Sequence, residues 1–405
     1  MRIDEGLSGP SPVHSVWEPL AAGPHAIRIA YFAHDLSDPA VERRVRMLRL
    51  GGAEVSLLGF RRSSAPVEAL AGAPAFNLGR TYDSRLLQRA LAAGSWALRA
   101  GRLAERVRGV DVIIARNLEM LAVAAAVRRR LRPRPQLVYE CLDIHRLMLA
   151  DGAAGAAMRA VERRLLQEAC LLMVSSPAFL SAYFERRQGV GRPGAPETVL
   201  VENKVLVDPG VASEPGGPRS PGRPWRILWP GVIRCRKSLE LLTDLVGRRP
   251  DLVEVVIRGR PTATVFPDLA AELEGVRGVR YGGPFEAAEV PELYRDTHFT
   301  WAVDYFDEGL NSSWLLPNRL YEGGYYGSVL IALSTVEIGR WLRRHGLGVP
   351  LEDPARQLER VLDALTPEDY GRLESASRAA PRALFAAGPA SCRELVRGLE
   401  AMQAA

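Results

Sequence analysis

Lysine is nearly missing from this 405-residue chain. Lys204 and Lys237 are the only two lysines among 53 basic residues, and arginine supplies the rest. Arg-rich usage is the simplest account of that bias. Cysteine is scarce too. Cys141, Cys170, Cys235 and Cys392 stand far apart, with no CxxC pair and no metal-ligand spacing. This argues against a disulfide framework or a zinc site, and for a reducing, cytoplasmic setting. No apolar run reaches the length of a membrane span. The N-terminus lacks a basic stretch followed by an apolar run, so no signal peptide is read there. No nucleic-acid-binding motif occurs, and nucleic acid is not expected as a partner.

What is present is the composition of a soluble globular protein, 47% hydrophobic and 25% charged. The length exceeds one ordinary core, so two domains are expected. Short apolar runs alternate with amphipathic helical patterns. The expected strands are 27–32, 54–59, 111–115, 137–140, 171–175 and 198–202, then 226–229, 253–258, 278–282, 299–303 and 329–332. Helical patterns cover 40–50, 86–107, 157–169 and 239–248. Such alternation predicts parallel sheets covered on both faces, an α/β fold. Residues 1–25 read as a loose leader and 209–224, rich in Gly, Pro and Ser, as a linker. They delimit a first domain, 26–208, and a second, 225–389, before a last helix at 390–405. Residues 1–210 hold 29 Lys and Arg against 21 Asp and Glu, whereas 211–405 hold 24 against 26. The first half is the basic one.

The most informative stretch is 311–332. Polar Asn311, Ser312 and Ser313 precede a Pro317-Asn318-Arg319 turn, a short amphipathic helix with one acid, Glu322, then Gly327 and the apolar strand 329–332. Backbone amides at a helix start can face a diphosphate, and an acid one turn further in can accept bonds from ribose hydroxyls. The stretch resembles the donor-binding segment of bacterial glycosyltransferases with the GT-B fold, above all family 4-like enzymes of succinoglycan-type exopolysaccharide assembly. There, too, a glutamate stands five residues before a glycine. A second glutamate, common in that family eight residues earlier, is replaced by Trp314.

The resemblance extends to 231–237 and 256–261. Gly231-Val232-Ile233-Arg234-Cys235-Arg236-Lys237 follows the first strand of the second domain, where ligands sit in doubly wound folds. Gly231 and Lys237 match the family's glycine and lysine, and Val232 replaces its arginine. Arg234 or Arg236 is then the substitute cation. The resemblance implies two Rossmann-like domains facing a cleft, with the last helix packing back toward the first. It implies no cofactor beyond the UDP-sugar substrate, and the chain lacks a DxD motif, since Asp304 and Asp307 are wrongly spaced, so no catalytic metal is expected.

In the first domain, Tyr139-Glu140-Cys141-Leu142-Asp143-Ile144-His145 follows a strand. Relatives have a His-Asp pair here, which makes Asp143 and His145 catalytic candidates, Asp143 as general base. The alternative for Asp143 is a helix N-cap. Leu142 replaces the histidine of retaining relatives. The loop with Asp35 and Asp38, and the pair Arg116-Asn117 after another strand, are acceptor candidates. For any one of these residues, a polar loop with a helix N-cap is the stronger reading. A basic, apolar helix from Arg85 through Trp96 to Arg108, with the cluster 128–134, can dock on anionic lipid headgroups, or simply cover the sheet with its arginines solvated.

The expected function is thus a cytoplasmic, membrane-associated glycosyltransferase. It would move a hexose such as glucose from a UDP-sugar to a polyprenyl-diphosphate-linked oligosaccharide. Two other readings stay open: a non-catalytic sugar-nucleotide- or lipid-binding partner of a polysaccharide complex, and a sugar-nucleotide epimerase of GT-B shape.

Overall fold

The computed structural model describes residues 26–82, 85–208 and 216–404. The expected leader and residues 209–215 of the expected linker lie outside them. Two α/β units are built around two sheets. The first sheet contains β1 (Arg28–Ala33), β2 (Glu54–Arg61), β3 (Ala69–Leu70), β4 (Ala73–Arg80), β5 (Val112–Arg116), β6 (Gln136–Cys141), β7 (Leu171–Val174) and β8 (Glu197–Leu200). After β9 (Val205–Leu206) comes the second sheet: β10 (Trp225–Pro230), β11 (Val253–Arg258), β12 (Val279–Tyr281), β13 (Phe299–Trp301), β14 (Val329–Leu333) and β15 (Val349–Leu351). A last short strand is β16 (Ala386–Ala387).

The strand orders are β3-β4-β2-β1-β5-β6-β7-β8 and β12-β11-β10-β13-β14-β15. Every pairing is parallel except β3 with β4. Both sheets are doubly wound, with helices on either face, so their inner strands are mostly apolar. All five residues of β5 and of β14 are buried. Each sheet separates two apolar clusters, one per face.

Strand order reverses between β1 and β5 in the first sheet, and between β10 and β13 in the second. The carboxyl ends of neighbouring strands diverge at such points and leave a crevice for ligands.

The chain crosses between units at 201–208, upstream of the Gly/Pro-rich stretch. The described end of that stretch is already fastened to the second unit. The Arg219 guanidinium there donates to the carbonyls of Tyr294, Tyr326 and Gly327 and pairs with Glu374 at 2.9 Å. The return crossing is β16, which pairs with β9 through Val205 N–H to Phe385 O and Val207 N–H to Ala387 O, both 2.9 Å. The final helix, Pro389–Ala404, then packs on the helix Pro39–Leu50 of the first unit. Cys392, Val396 and Leu399 enter that unit's core.

The helical pattern 86–107 is two helices, Leu86–Leu98 and Ala100–Arg106. Arg99 leaves helical geometry between them, with φ −92° and ψ 17°.

Candidate functional site

The second unit's crevice starts with two glycines. Gly231, just past β10, has φ +105°. Its carbonyl lies 1.6 Å from where a Cβ on Gly259 would sit. The loops after β10 and β11 therefore touch backbone to backbone, and only glycine permits it. The close packing fixes the next residues. Cys235 caps the helix Arg236–Arg248, its Sγ accepting from Ser238 N–H at 3.4 Å.

Arg234 and Arg236 diverge at this turn. Arg234, ahead of the cap, turns into the crevice. It pairs with Asp304 at 3.0 Å and lies over the Phe306 ring at 4.8 Å. Arg236 turns away, onto Glu272 and the Phe266 ring. Lys237 is exposed, 3.2 Å from Glu308 and 4.0 Å above the Tyr305 ring. Val232 is exposed.

Asp304 follows β13 and receives two cations. Arg319 stands 4.0 Å from it and donates to Val303 O at 3.3 Å, while its Nε is buried and unpaired. Burial alone would push the Asp304 carboxyl up, but Arg319 and Arg234 hold it below its usual range. Burial also lowers Arg319, opposed by Asp304.

The loop from Asp307 to Leu316 is stitched by its own serines. Ser312 Oγ accepts from Asp307 N–H and Ser313 Oγ from Gly309 N–H, both at 3.1 Å. Those hydroxyls shape the loop from within. Asn311 reaches across to the first unit, where its Oδ1 accepts from Ile144 N–H at 3.2 Å. The Ser176 hydroxyl donates to Trp314 O from the same side.

Pro317 then starts the helix Asn318–Tyr325. Its apolar face, with Leu320, Tyr321 and Tyr325, is buried. Gly324 admits the Phe385 ring, which would lie 2.0 Å from a Cβ there. Glu322, on the opposite face, is half-buried and accepts from Tyr294 Oη at 3.3 Å. Burial raises its carboxyl pKa, while Arg43, the Tyr294 bond and Arg319 pull it down.

Arg43 is a residue the sequence did not single out. It sits on the helix Pro39–Leu50 of the first unit and donates to Asn318 Oδ1 at 3.0 Å and Asn203 Oδ1 at 3.4 Å. Burial lowers its pKa to about 10, with Glu322 the largest opposing influence. No local pattern marks it, because its partners lie in another domain.

On the first unit's side, Asp143 opens onto the cleft. Desolvation raises its carboxyl, Arg234 opposes that, and Asp307 adds to it. Arg234 thus faces both Asp304 and Asp143. His145, not Asp143, caps the short helix Arg146–Leu149, its Nδ1 accepting from Leu147 N–H at 3.3 Å. Burial, with Arg89 and Arg146 nearby, lowers the His145 pKa.

The other first-unit candidates are drawn into internal bonding. Asp35 Oδ1 accepts from Ser37 N–H at 2.9 Å and Arg62 N–H at 3.1 Å. Asp38 caps the helix Pro39–Leu50 through Ala40 N–H at 2.8 Å. Arg116 is buried and donates to Tyr31 Oη and Ala40 O, both 3.1 Å. Behind it, Glu140 pairs with Arg44 at 2.6 Å. Only Asn117 of this set keeps a buried side-chain oxygen without a partner, on a backbone at φ +69°. Such strained, unpaired positions gather at functional sites. Among the described residues, no group of three or more His, Cys, Asp or Glu could hold a metal ion.

No protein-family model matches the chain. It is 42% identical over 380 residues to the succinoglycan biosynthesis protein ExoL of Rhizobium meliloti (strain 1021), spanning 92% of this chain and 93% of that protein. Among solved structures it resembles sucrose-phosphate synthase (tll1590) from Thermosynechococcus elongatus, with TM-score 0.68, 14% identity, and 93% and 99% of the two chains covered. It also resembles Anabaena Alr3699/HepE in complex with UDP-glucose, with TM-score 0.62, 15% identity, and 94% and 100% covered. The structural likeness establishes the fold, and the sequence identity over nearly both full lengths establishes the family. The chain belongs to the GT-B glycosyltransferases related to the exopolysaccharide protein ExoL.

Proposed function

We propose that the protein moves a hexose, glucose in the first instance, from a UDP-sugar to a polyprenyl-diphosphate-linked oligosaccharide during exopolysaccharide synthesis. The observation that carries this reading is the position of Arg234. It stands at the second sheet's switch point, bonded to Asp304 and electrostatically coupled to Asp143 of the opposite unit.

In this reading Glu322 accepts hydrogen bonds from the ribose. Arg234 and Lys237, with Arg319 behind them, take the diphosphate. Transfer builds negative charge on the departing diphosphate, and fixed cations in a sheltered cleft stabilise it. Lys237 leaves Glu308 for the phosphates, an exchange that costs little because exposed ion pairs are weak. Asp143 takes the acceptor proton. Burial raises its pKa, which makes it a stronger base than an ordinary carboxylate. His145 holds the start of the helix beside it. The side chains of this chain can do this work without a metal.

The acceptor's lipid is the reason for the first unit's basic, apolar helix. Leu87, Leu91 and Leu98 on the helix Leu86–Leu98 are 74%, 67% and 86% exposed. Their spacing puts them on one stripe. Arg85, Arg99 and Arg102 are exposed beside them. Apolar residues flanked by cations suit the inner surface of an anionic membrane. No helix of the described residues is long and apolar enough to cross one.

The test is transfer of radiolabel from UDP-glucose to lipid-linked oligosaccharide extracted from exopolysaccharide-producing cells. Label should reach the lipid fraction with wild type and fall roughly 100-fold or more with Asp143→Asn and Lys237→Ala. Tight UDP binding with no transfer to any lipid fraction would favour a non-catalytic partner. Conversion of UDP-glucose itself would favour an epimerase.

A further inference from the structure

The loop after β13 carries three acids, Asp304, Asp307 and Glu308. Cations answer two of them. Arg234 and Arg319 face Asp304, and Lys237 holds Glu308 at 3.2 Å. Asp307 differs. Its backbone is fixed, with the N–H on Ser312 Oγ at 3.1 Å and the carbonyl accepting from Leu310 N–H at 2.9 Å. Its half-buried side-chain carboxylate takes no hydrogen bond or close ion pair among the described residues.

Both ends of the loop set the place of that carboxylate. At one end Asp304 is tied to Arg234 at 3.0 Å and accepts from Phe306 N–H at 2.9 Å. At the other, Asn311 Oδ1 accepts from Ile144 N–H, next to Asp143. Asp307 lies on the span between. Its charge is felt by Arg234 and, across the cleft, by Asp143 and His145. A sugar in transfer must lie in the same gap, because its anomeric carbon has to stand between the diphosphate oxygen it leaves and the hydroxyl it joins. The Phe306 ring, 40% exposed and backed by the Arg234 guanidinium at 4.8 Å, offers an apolar face beside that gap.

Donor binding changes the charge of this loop. The diphosphate draws Lys237 from Glu308 and shares Arg234 with Asp304. The cations then answer phosphate oxygens, and the carboxylates of Asp307 and Glu308 are left to the sugar. Val232, exposed beside Gly231, adds no charge to offset them. Carboxylates accept hydrogen bonds from sugar hydroxyls but repel a second anion. A neutral hexose satisfies them. A hexuronate, with a carboxylate at C6, meets like charge in a sheltered cleft.

We propose that Asp307, joined by Glu308 once Lys237 has moved to the diphosphate, is a charge filter that admits neutral hexoses and turns away uronic-acid donors. The inference rests on the glycosyltransferase reading above and adds a rule for the donor sugar. Phe306 supplies the matching apolar contact, against the C–H face of the ring.

Calorimetric titration with UDP, UDP-glucose and UDP-glucuronic acid tests this, since UDP alone measures everything but the sugar. Wild type should bind UDP-glucose at least as tightly as UDP. It should bind UDP-glucuronic acid about 30-fold or more weakly than UDP-glucose, the repulsion of one charge at close range in a half-sheltered site. Asp307→Asn keeps the shape and the backbone bonds, and should narrow that gap by about fivefold or more with UDP affinity unchanged. Loss of a merely structural role would weaken both sugars together and leave their ratio alone. Glu308→Gln, at an exposed position, reads the same ratio if Asp307→Asn fails to fold. Equal affinities for the two sugars in wild type, or a ratio that the folded variants leave untouched, overturn the proposal while UDP binding keeps the glycosyltransferase reading. A wild type that binds no UDP at all defeats that reading itself.

Discussion

Arg43 and Asn318 hydrogen-bond across the cleft at 3.0 Å, although 275 residues separate them in sequence. The bond joins the first helix of the first unit to the opening residue of the helix that carries Glu322. Arg43 is also the largest influence keeping Glu322 from a still higher pKa.

Arg43→Ala should therefore act on the donor side. UDP affinity falls several-fold, the value of one hydrogen bond to a charged group. The affinity of wild type declines as pH falls through the raised Glu322 pKa, because a protonated carboxyl is a weaker acceptor. Removing Arg43 lifts that pKa further, so the decline in the variant begins at higher pH. Calorimetric titration with UDP between about pH 5 and about pH 8 reads both effects. A variant whose pH profile overlays wild type would break the link between Arg43 and Glu322.

Gly259→Ala should destabilise the second unit by several kcal/mol, on the order of 3. Its Cβ would meet Gly231 O at 1.6 Å, and its φ is +143°. Gly247→Ala is the control. That glycine is exposed in the helix Arg236–Arg248 with open space around a Cβ, and alanine should stabilise it by about 0.5–1 kcal/mol. Urea unfolding of the two variants should move in opposite directions.

Glu162 should make stability depend on pH. It is buried and accepts from Tyr139 Oη at 2.9 Å, from Tyr183 Oη at 2.6 Å, and from Gln188. Burial raises its pKa to about 7, against the opposing pull of those bonds. The folded state thus prefers the protonated carboxyl. Its contribution is complete below the ordinary value of 4.5 and is lost as pH rises through about 7. Glu162→Gln should remove that slope, which amounts to roughly 3 kcal/mol across the window. Equal slopes for wild type and variant in urea unfolding from pH 4.5 to 7.5 (about the two pKa limits) would show that Glu162 titrates normally.

Leu87→Asp with Leu91→Asp should abolish sedimentation with phosphatidylglycerol vesicles. Both side chains are already exposed, so the fold should tolerate the change. Neutral phosphatidylcholine vesicles should bind wild type weakly, since the arginines contribute about 1 kcal/mol each only near anionic headgroups. Undiminished binding of the double variant would move the docking surface elsewhere.

The sheets were legible because parallel strands carry their own signal. Runs such as Val329–Leu333 are apolar at every position, and no neighbour is needed to recognise them. Ala73–Arg80 was not recognised, since its Pro74, Asn77 and Gly79 disfavour a strand. It forms because β2 offers it an edge, with a bulge at Gly59/Phe60. Val349–Leu351 is three residues long with a proline in the middle, and reads as a loop. In the site, the local motifs singled out Glu322 and Lys237 as candidates. Whether Arg234 or Arg236 faced the crevice depended on where Cys235 capped the helix, and sequence alone left that open. Arg43 bonds to Asn318 and Asn203 in other elements, which no local pattern encodes.

The paired crossings between the units, β9 and β16, have a mechanical consequence. A single tether would let the two units swing and twist freely. Two strands bonded side by side behave as a flat ribbon, soft to bending about one axis and stiff against shear. The cleft should then open and shut like a book along that ribbon, with Arg43 and Asn318, bonded beside Asn203, close to its spine. Each closure would bring Arg234 and Asp143 back to the same register, so geometry between donor and acceptor would be restored at every turnover without being found afresh.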